Sequence, residues 1–170
     1  MQLINTMNTL KSLMLLLLSA SIIGGCREKI EGDLGGPYDK VKGMEGTWEL
    51  TRFSQIDLNN PVLEERDLSE FFLVEGVTPL RLTFNGSDNS YSVQITEGKN
   101  YFGDGGTWSF DDPQYPSYLL LNDGLKEIEF ELGRVVREFD TTLELDLRRG
   151  CGSDGTLTET VIYHFEFLRK

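Results

Sequence analysis

The chain reads as an all-β domain. Its eight or nine short strands suit an antiparallel up-and-down barrel, with a two-sheet sandwich as the alternative closure. Three observations point there. Apolar residues alternate with polar ones through much of the second half. Short runs of Gly, Asn and Asp separate the alternating segments at regular intervals. Between them lies no helical period of the kind that parallel strands need for their crossovers. From Gly46 to Lys170 there are 125 residues, which suits eight strands at roughly 15 residues per strand and turn.

The first strand is expected over Gly46–Asp57, where Trp48, Leu50 and Phe53 sit among polar residues. The period then changes. Leu68, Phe71 and Phe72 fall at i, i+3 and i+4 within 63–73, between Pro61 and Gly76, and predict one short helix after that strand. From Pro79 the period is two. Leu80, Leu82 and Phe84 lead through the turn Asn85–Asn89 into Tyr91, Val93 and Ile95, the strongest hairpin signal in the chain. Further strands are expected at 107–110, 118–121, 126–132, 135–139, 143–147 and 160–168. In the last of these Val161, Tyr163, Phe165 and Phe167 share a face. Gly-Thr-Trp occurs twice, at Gly46 and Gly106. The residues beyond the tripeptide do not match, so a shared way of starting a strand explains it better than duplication.

Ahead of the barrel, residues 1–25 read as an export signal. Lys11 supplies a thin basic region, and Leu13–Ile23 is apolar but for small residues, well short of the roughly 20 apolar residues that span a bilayer. Met7 offers a more compact alternative start. The run ends Ile23-Gly24-Gly25-Cys26, which resembles the lipobox of bacterial lipoproteins, an aliphatic residue and two small ones before the cysteine that takes up lipid. The resemblance implies acylation at Cys26. Each buried CH₂ contributes about 0.8 kcal/mol and one chain holds only marginally, so several chains would anchor firmly. Residues 26–43 then read as a lipidated flexible tether with four glycines and a proline, and 44–170 as the barrel domain. The run Arg27-Glu28-Lys29-Ile30-Glu31 loosely resembles the acidic surface-export signals of Bacteroides-type lipoproteins; a plain solvated linker explains it equally well.

From Cys26 onward 15 basic side chains face 28 acidic ones, a net charge of −13. That balance argues against nucleic acid, whose phosphates need a basic surface, and against polybasic attachment to anionic lipid. With Cys26 acylated, Cys151 is the one remaining thiol and has no partner for an internal disulfide; it reads as an inert loop thiol, or as one half of an intermolecular bridge.

Taken together, the lipobox, the tether, Gly46-Thr47-Trp48 with Gln55-Ile56-Asp57, the Leu-Ser-Glu-Phe segment, the Leu82–Val93 hairpin and the terminal Tyr163–Phe167 run resemble the lipocalin-like lipoproteins of Bacteroides-type bacteria. The resemblance implies an eight-stranded, lipocalin-like barrel of the calycin type, lipid-anchored at the bacterial outer membrane and facing either the periplasm or the cell surface. In lipocalins the tryptophan of Gly-x-Trp packs at the closed end, often beneath an arginine from the last strand. Trp48 matches that position, and Arg169 is its candidate partner by place in the chain. Other lipocalin signatures are missing, so the resemblance does not by itself carry a ligand pocket.

A barrel of eight strands is filled by side chains or holds one small ligand. Phe84, Tyr91, Trp108, Phe110, Phe130, Tyr163 and Phe165 are the candidate inward residues, read either as lining a ligand site or as core. Chemistry is harder to find. No metal-ligand spacing, nucleophile elbow or phosphate loop is present. His164 alternates with Tyr163 and Phe165 and so should face outward. Glu127, Glu129 and Glu131 form a solvated stripe that discourages edge pairing. A non-enzymatic module without cofactors follows. It would bind a small apolar or amphipathic molecule or, alternatively, act as a structural or protein-interaction lipoprotein with a filled barrel.

Overall fold

A computed structural model describes residues 38–60, 62, 64–152 and 158–170. The expected export signal, Cys26 and the charged run after it lie outside the described residues, as do residues 153–157 and the side chain of Cys151.

The chain enters through a five-residue helix, α1 (Lys40–Met44), started by Asp39, whose carboxylate accepts from the amides of Val41 and Lys42. Gly43 and Met44 are buried, so the described end of the expected tether, residues 40–43, belongs to the packed domain. Strands follow as β1 (Gly46–Asp57), β2 (Glu65–Asp67), β3 (Arg81–Phe84), β4 (Ser90–Gln94), β5 (Gly106–Phe110), β6 (Tyr118–Asn122), β7 (Glu127–Leu132), β8 (Thr142–Cys151) and β9 (Thr158–Arg169). They form one antiparallel sheet in the order β2-β1-β3-β4-β5-β6-β7-β8-β9, and β1 also pairs with β9. Eight strands thus close into a barrel. The short β2 is extra: it pairs with Ser54–Ile56, beyond the Gly46–Glu49 stretch that pairs with β3.

β1 explains its own odd spacing. Trp48 and Leu50 are two apart and buried, but the next buried ring, Phe53, is three further on. A bulge at Thr51 supplies the extra residue: Leu50 faces Phe167 while Arg52 faces Glu166. The Thr51 hydroxyl donates to the Glu166 carbonyl at 3.0 Å, and Phe53 is returned to the inside.

One expectation, the short helix after β1, is met in shortened form, and another needs correcting. The helix after β1 is a single 3-10 turn, Ser69–Phe71, preceded by β2, rather than a run over 63–73. Local bonds compete with the longer helix: Asp67 accepts from the Ser69 amide at 2.8 Å, and the Ser69 hydroxyl accepts from the Phe53 amide at 3.0 Å. Phe72 is buried there and Phe71 is 55% exposed. The expected strand at 135–139 is a connection between β7 and β8. Val135 and Val136 are adjacent, so they cannot share a face in a strand. Val136 is buried instead below α1, Phe139 is exposed, and Asp140 turns the chain by accepting from the Arg137 amide.

The register defines two ends. At the base lie α1 and the β3–β4, β5–β6 and β7–β8 connections; at the mouth lie β2 with its 3-10 turn and the β4–β5, β6–β7 and β8–β9 connections. At the base Trp48 is fully buried, its indole donating to the Met44 carbonyl at 2.8 Å. The Arg169 guanidinium lies 4.4 Å from the Trp48 ring centre and donates to the carbonyls of Asp140, Glu45 and Gly43. The partnership expected by place in the chain is therefore present.

Above it the interior is full. Phe102 and Phe130 stack with centroids 4.7 Å apart, Phe165 packs edge-on to Phe102 at 5.0 Å, and Phe53 stacks on Phe165 at 4.8 Å.

Candidate functional site

Phe102 decides where a site can be. It comes from the β4–β5 connection, not from a strand, yet it is fully buried in the barrel. Asn100 folds the connection: its amide donates to the Gly103 carbonyl at 2.7 Å and its side-chain oxygen accepts from the Phe102 amide at 2.9 Å. The Tyr91 hydroxyl donates to the Phe102 carbonyl at 2.8 Å, fastening the plug from below. Burial, with the Asp123 and Asp104 charges adding to it, pushes the Tyr91 phenol up to about 12, so it stays a donor at neutral pH.

This arrangement uses up most of the seven inward candidates. Phe84, Tyr91, Trp108, Phe130 and Phe165 are all buried and pack on one another and on the plug. They form core rather than the lining of a cavity. Phe110 is half-buried at the rim of a surface cleft of about 270 Å³ toward the base, shared with Trp108 and Val41. Tyr163 alone among the seven reaches the mouth.

Two adjoining clefts open there. The first, about 400 Å³, is lined by Phe53, Leu68, Phe71, Phe72, Tyr101 and Tyr163 together with Gln55, Glu97, Gly98 and Lys99. Its floor is a continuous aromatic surface: Phe53 meets Phe72 at 4.8 Å, and Tyr101 meets Tyr163 at 5.0 Å. Gly98 allows the rim to come this close. Its φ is +89°, and a Cβ there would lie 2.6 Å from the Phe72 ring. The second cleft, about 340 Å³, lies across the Tyr101–Tyr163 pair and is lined by Lys99, Asn100, Lys126 and Arg149 with the same two tyrosines. Burial first, then the neighbouring Tyr163 phenol, push the Tyr101 hydroxyl up to about 12, while Arg149 pulls the other way.

Sequence reasoning missed Tyr101 and Phe102. The only signal was two adjacent rings in the stretch 98–105, otherwise made of Gly, Asn, Lys and Asp, where turn chemistry gives no reason for large apolar surface.

Outside the barrel, His164 faces outward as expected and joins a polar row. Its Nδ1 lies 2.5 Å from Asp146 and its Nε2 lies 3.5 Å from Glu166, which also pairs with Arg52 at 2.8 Å. Arg52 pairs in turn with Glu65, which accepts from the buried Ser54 hydroxyl at 2.5 Å. The row lies on outward strand faces, and Glu65 and Asp146 each also line a surface cleft. Another cleft, about 510 Å³, is lined by Gln55, Asn60 and Arg66 and by the carboxylates of Asp57, Glu64 and Glu65. Among the described residues no three His, Cys, Asp or Glu side chains are placed to hold a metal ion, and no helix is long and apolar enough to cross a membrane.

No protein-family model matches the chain, and neither a curated protein nor a solved structure matches it.

Proposed function

We propose that this is a non-enzymatic, lipid-anchored lipoprotein of the bacterial envelope, similar to the lipocalin-like lipoproteins. It takes a small apolar or amphipathic ligand at the mouth of its barrel rather than along the axis. The observation that carries the reading is the aromatic floor of the mouth cleft over a plugged interior. Phe71, Leu68, Tyr101 and Tyr163, backed by the buried rings of Phe53 and Phe72, present apolar surface to a space of about 400 Å³, within the range of small-molecule sites. Anchoring rests on the Ile23-Gly24-Gly25-Cys26 run. Outer-membrane location follows from the same resemblance.

A panel of fatty acids, bile acids and neutral lipids tests the reading. A saturable rise in melting temperature with some members of the panel supports it. No saturable shift with any member contradicts it. Mass spectrometry of the native product tests the anchor separately; an unmodified Cys26 removes it.

The second reading, a structural or protein-interaction lipoprotein, is favoured by the interlocked rings that fill the barrel. A native pull-down recovering one partner in fixed ratio, with no small-molecule shift, would establish it over the first.

A further inference from the structure

The charges lining the second cleft run against those of the chain as a whole. Acidic side chains outnumber basic ones by 28 to 16, and several cations are already engaged. Arg52, Arg81, Arg148 and Lys170 pair with carboxylates, and Arg169 is spent on backbone carbonyls at the base. Lys99, Lys126 and Arg149 are different. They come from three separate places, the β4–β5 connection, the β6–β7 turn and the mouth end of β8, and all line the second cleft. None of the three has an ion pair among the described residues. Acids lie nearby: Arg149 also borders a cleft of about 310 Å³ with Glu127, Glu129, Glu131, Asp146 and Glu159, and Asp104 accepts from the Asn100 amide at 3.4 Å. Asp123 attracts Lys126, but its Oδ1 already accepts from the Leu125 and Lys126 amides. Glu97 lines the apolar cleft and not the cationic one. Three like charges gathered on one concave surface repel one another and create a field that an anion relieves.

The apolar cleft adjoins this one, and Tyr101 and Tyr163 form a wall of both. Lys99 belongs to both as well, with its ammonium 5.1 Å from the Tyr101 ring centre. We propose that the ligand is an anionic amphiphile: its head group meets Lys126, Arg149 and Lys99 in the cationic cleft, and its apolar body lies over Phe53, Leu68, Phe71 and Phe72. The assignment rests on the mouth cleft being the binding site. The Tyr101 phenol, held protonated, can donate to the head group alongside the guanidinium. Fatty acids and bile salts share this chemistry, a single anionic group on an apolar body.

The test uses the native chain held in amphipol, with decanoate, taurocholate, the neutral monodecanoyl glycerol and inorganic sulfate as probes. The readouts are saturable thermal shift and equilibrium dialysis. At least one anionic amphiphile should bind roughly tenfold or more tightly than the neutral glyceride, as expected for a head group with charge-assisted hydrogen bonds. Its affinity should fall with added salt while the neutral probe's does not. The double variant Lys126→Gln/Arg149→Gln changes the cationic cleft and no residue of the apolar one. It should lose at least about tenfold for the anionic probe and leave glyceride binding unchanged. Whichever of decanoate and taurocholate binds more tightly identifies the source, chain or sterol.

Equal binding of charged and neutral probes, indifferent to salt and to the double variant, overturns the anionic assignment and leaves the mouth cleft standing. Sulfate binding as tightly as the amphiphiles overturns the apolar half. No binding by any probe overturns both the assignment and the site it rests on. Should the double variant melt early, the salt dependence on the native chain decides the matter alone.

Discussion

Arg169 and Trp48 sit at opposite ends of the folded sequence and meet at the base, so each reports on closure of the barrel. Arg169 stacks on the indole and bridges the carbonyls of Gly43 in α1, of Glu45 at its end and of Asp140 in the β7–β8 connection. Lysine keeps the charge but lacks the planar fork. Arg169→Lys should cost about 2–3 kcal/mol in urea unfolding, the sum of a desolvated cation–π contact and a lost hydrogen bond. A loss under about 0.5 kcal/mol, the level of an ordinary surface change, would remove the pair from the account of closure. Phe102→Ala tests the plug. It removes a fully buried ring from a stack and should cost about 3–5 kcal/mol.

His164 gives a pH signature. The Asp146 hydrogen bond raises its pKa, burial works against that, and the charges of Asp146, Glu166 and Glu144 add to the rise. A folded pKa above the unfolded one means stabilisation that is complete below the unfolded value, about 6.5, and is lost as pH rises through the folded value. The stability gap between the native chain and His164→Gln should therefore be larger at about pH 5.5 than at about pH 8.5. Equal gaps in denaturant midpoints would contradict the pairing.

At the scale of elements, legibility followed how local the determinant was. The β3–β4 hairpin could be read because strict alternation and an Asn-Gly turn agree within a few residues. The segment at 135–139 misled because apolar content without alternation resembles a strand; what it packs under, α1, is more than 90 residues away in sequence. Half of the candidate site was hidden for the same reason. Tyr163 could be read from the last strand's period, whereas Tyr101 and Phe102 owe their positions to a connection folded by Asn100 and held by Tyr91. That connection is also where the mouth is most sensitive. Gly98→Ala forces a residue with a side chain to φ +89° and drives its Cβ into the Phe72 ring, so it should cost about 1–3 kcal/mol. It should also displace the rim and weaken any ligand taken at the mouth. Phe71→Ser lies across the same cleft on an exposed ring. It should change stability by no more than about 0.5 kcal/mol while lowering ligand affinity, which separates binding from folding.

For the whole molecule, eight antiparallel strands in an all-β domain were foreseeable from spacing and turn chemistry, with barrel closure favoured over a sandwich; the extra strand β2 was not. Whether its interior was lining or core was not, since inward rings look the same in sequence whether or not another ring fills the space between them. On the proposed reading the filled interior moves binding to the rim, where cations that have no ion pair among the described residues lie beside partly exposed aromatic rings. The most direct test is an amide and methyl NMR titration of the native chain with decanoate. Shifts concentrated at Phe71, Gly98, Tyr101, Lys126, Arg149 and Tyr163, with Trp108 and Phe130 unmoved, are what a mouth site on a plugged barrel predicts. Shifts centred on Phe84, Trp108 and Phe130, from a ligand that has displaced Phe102 and entered the axis, would contradict it.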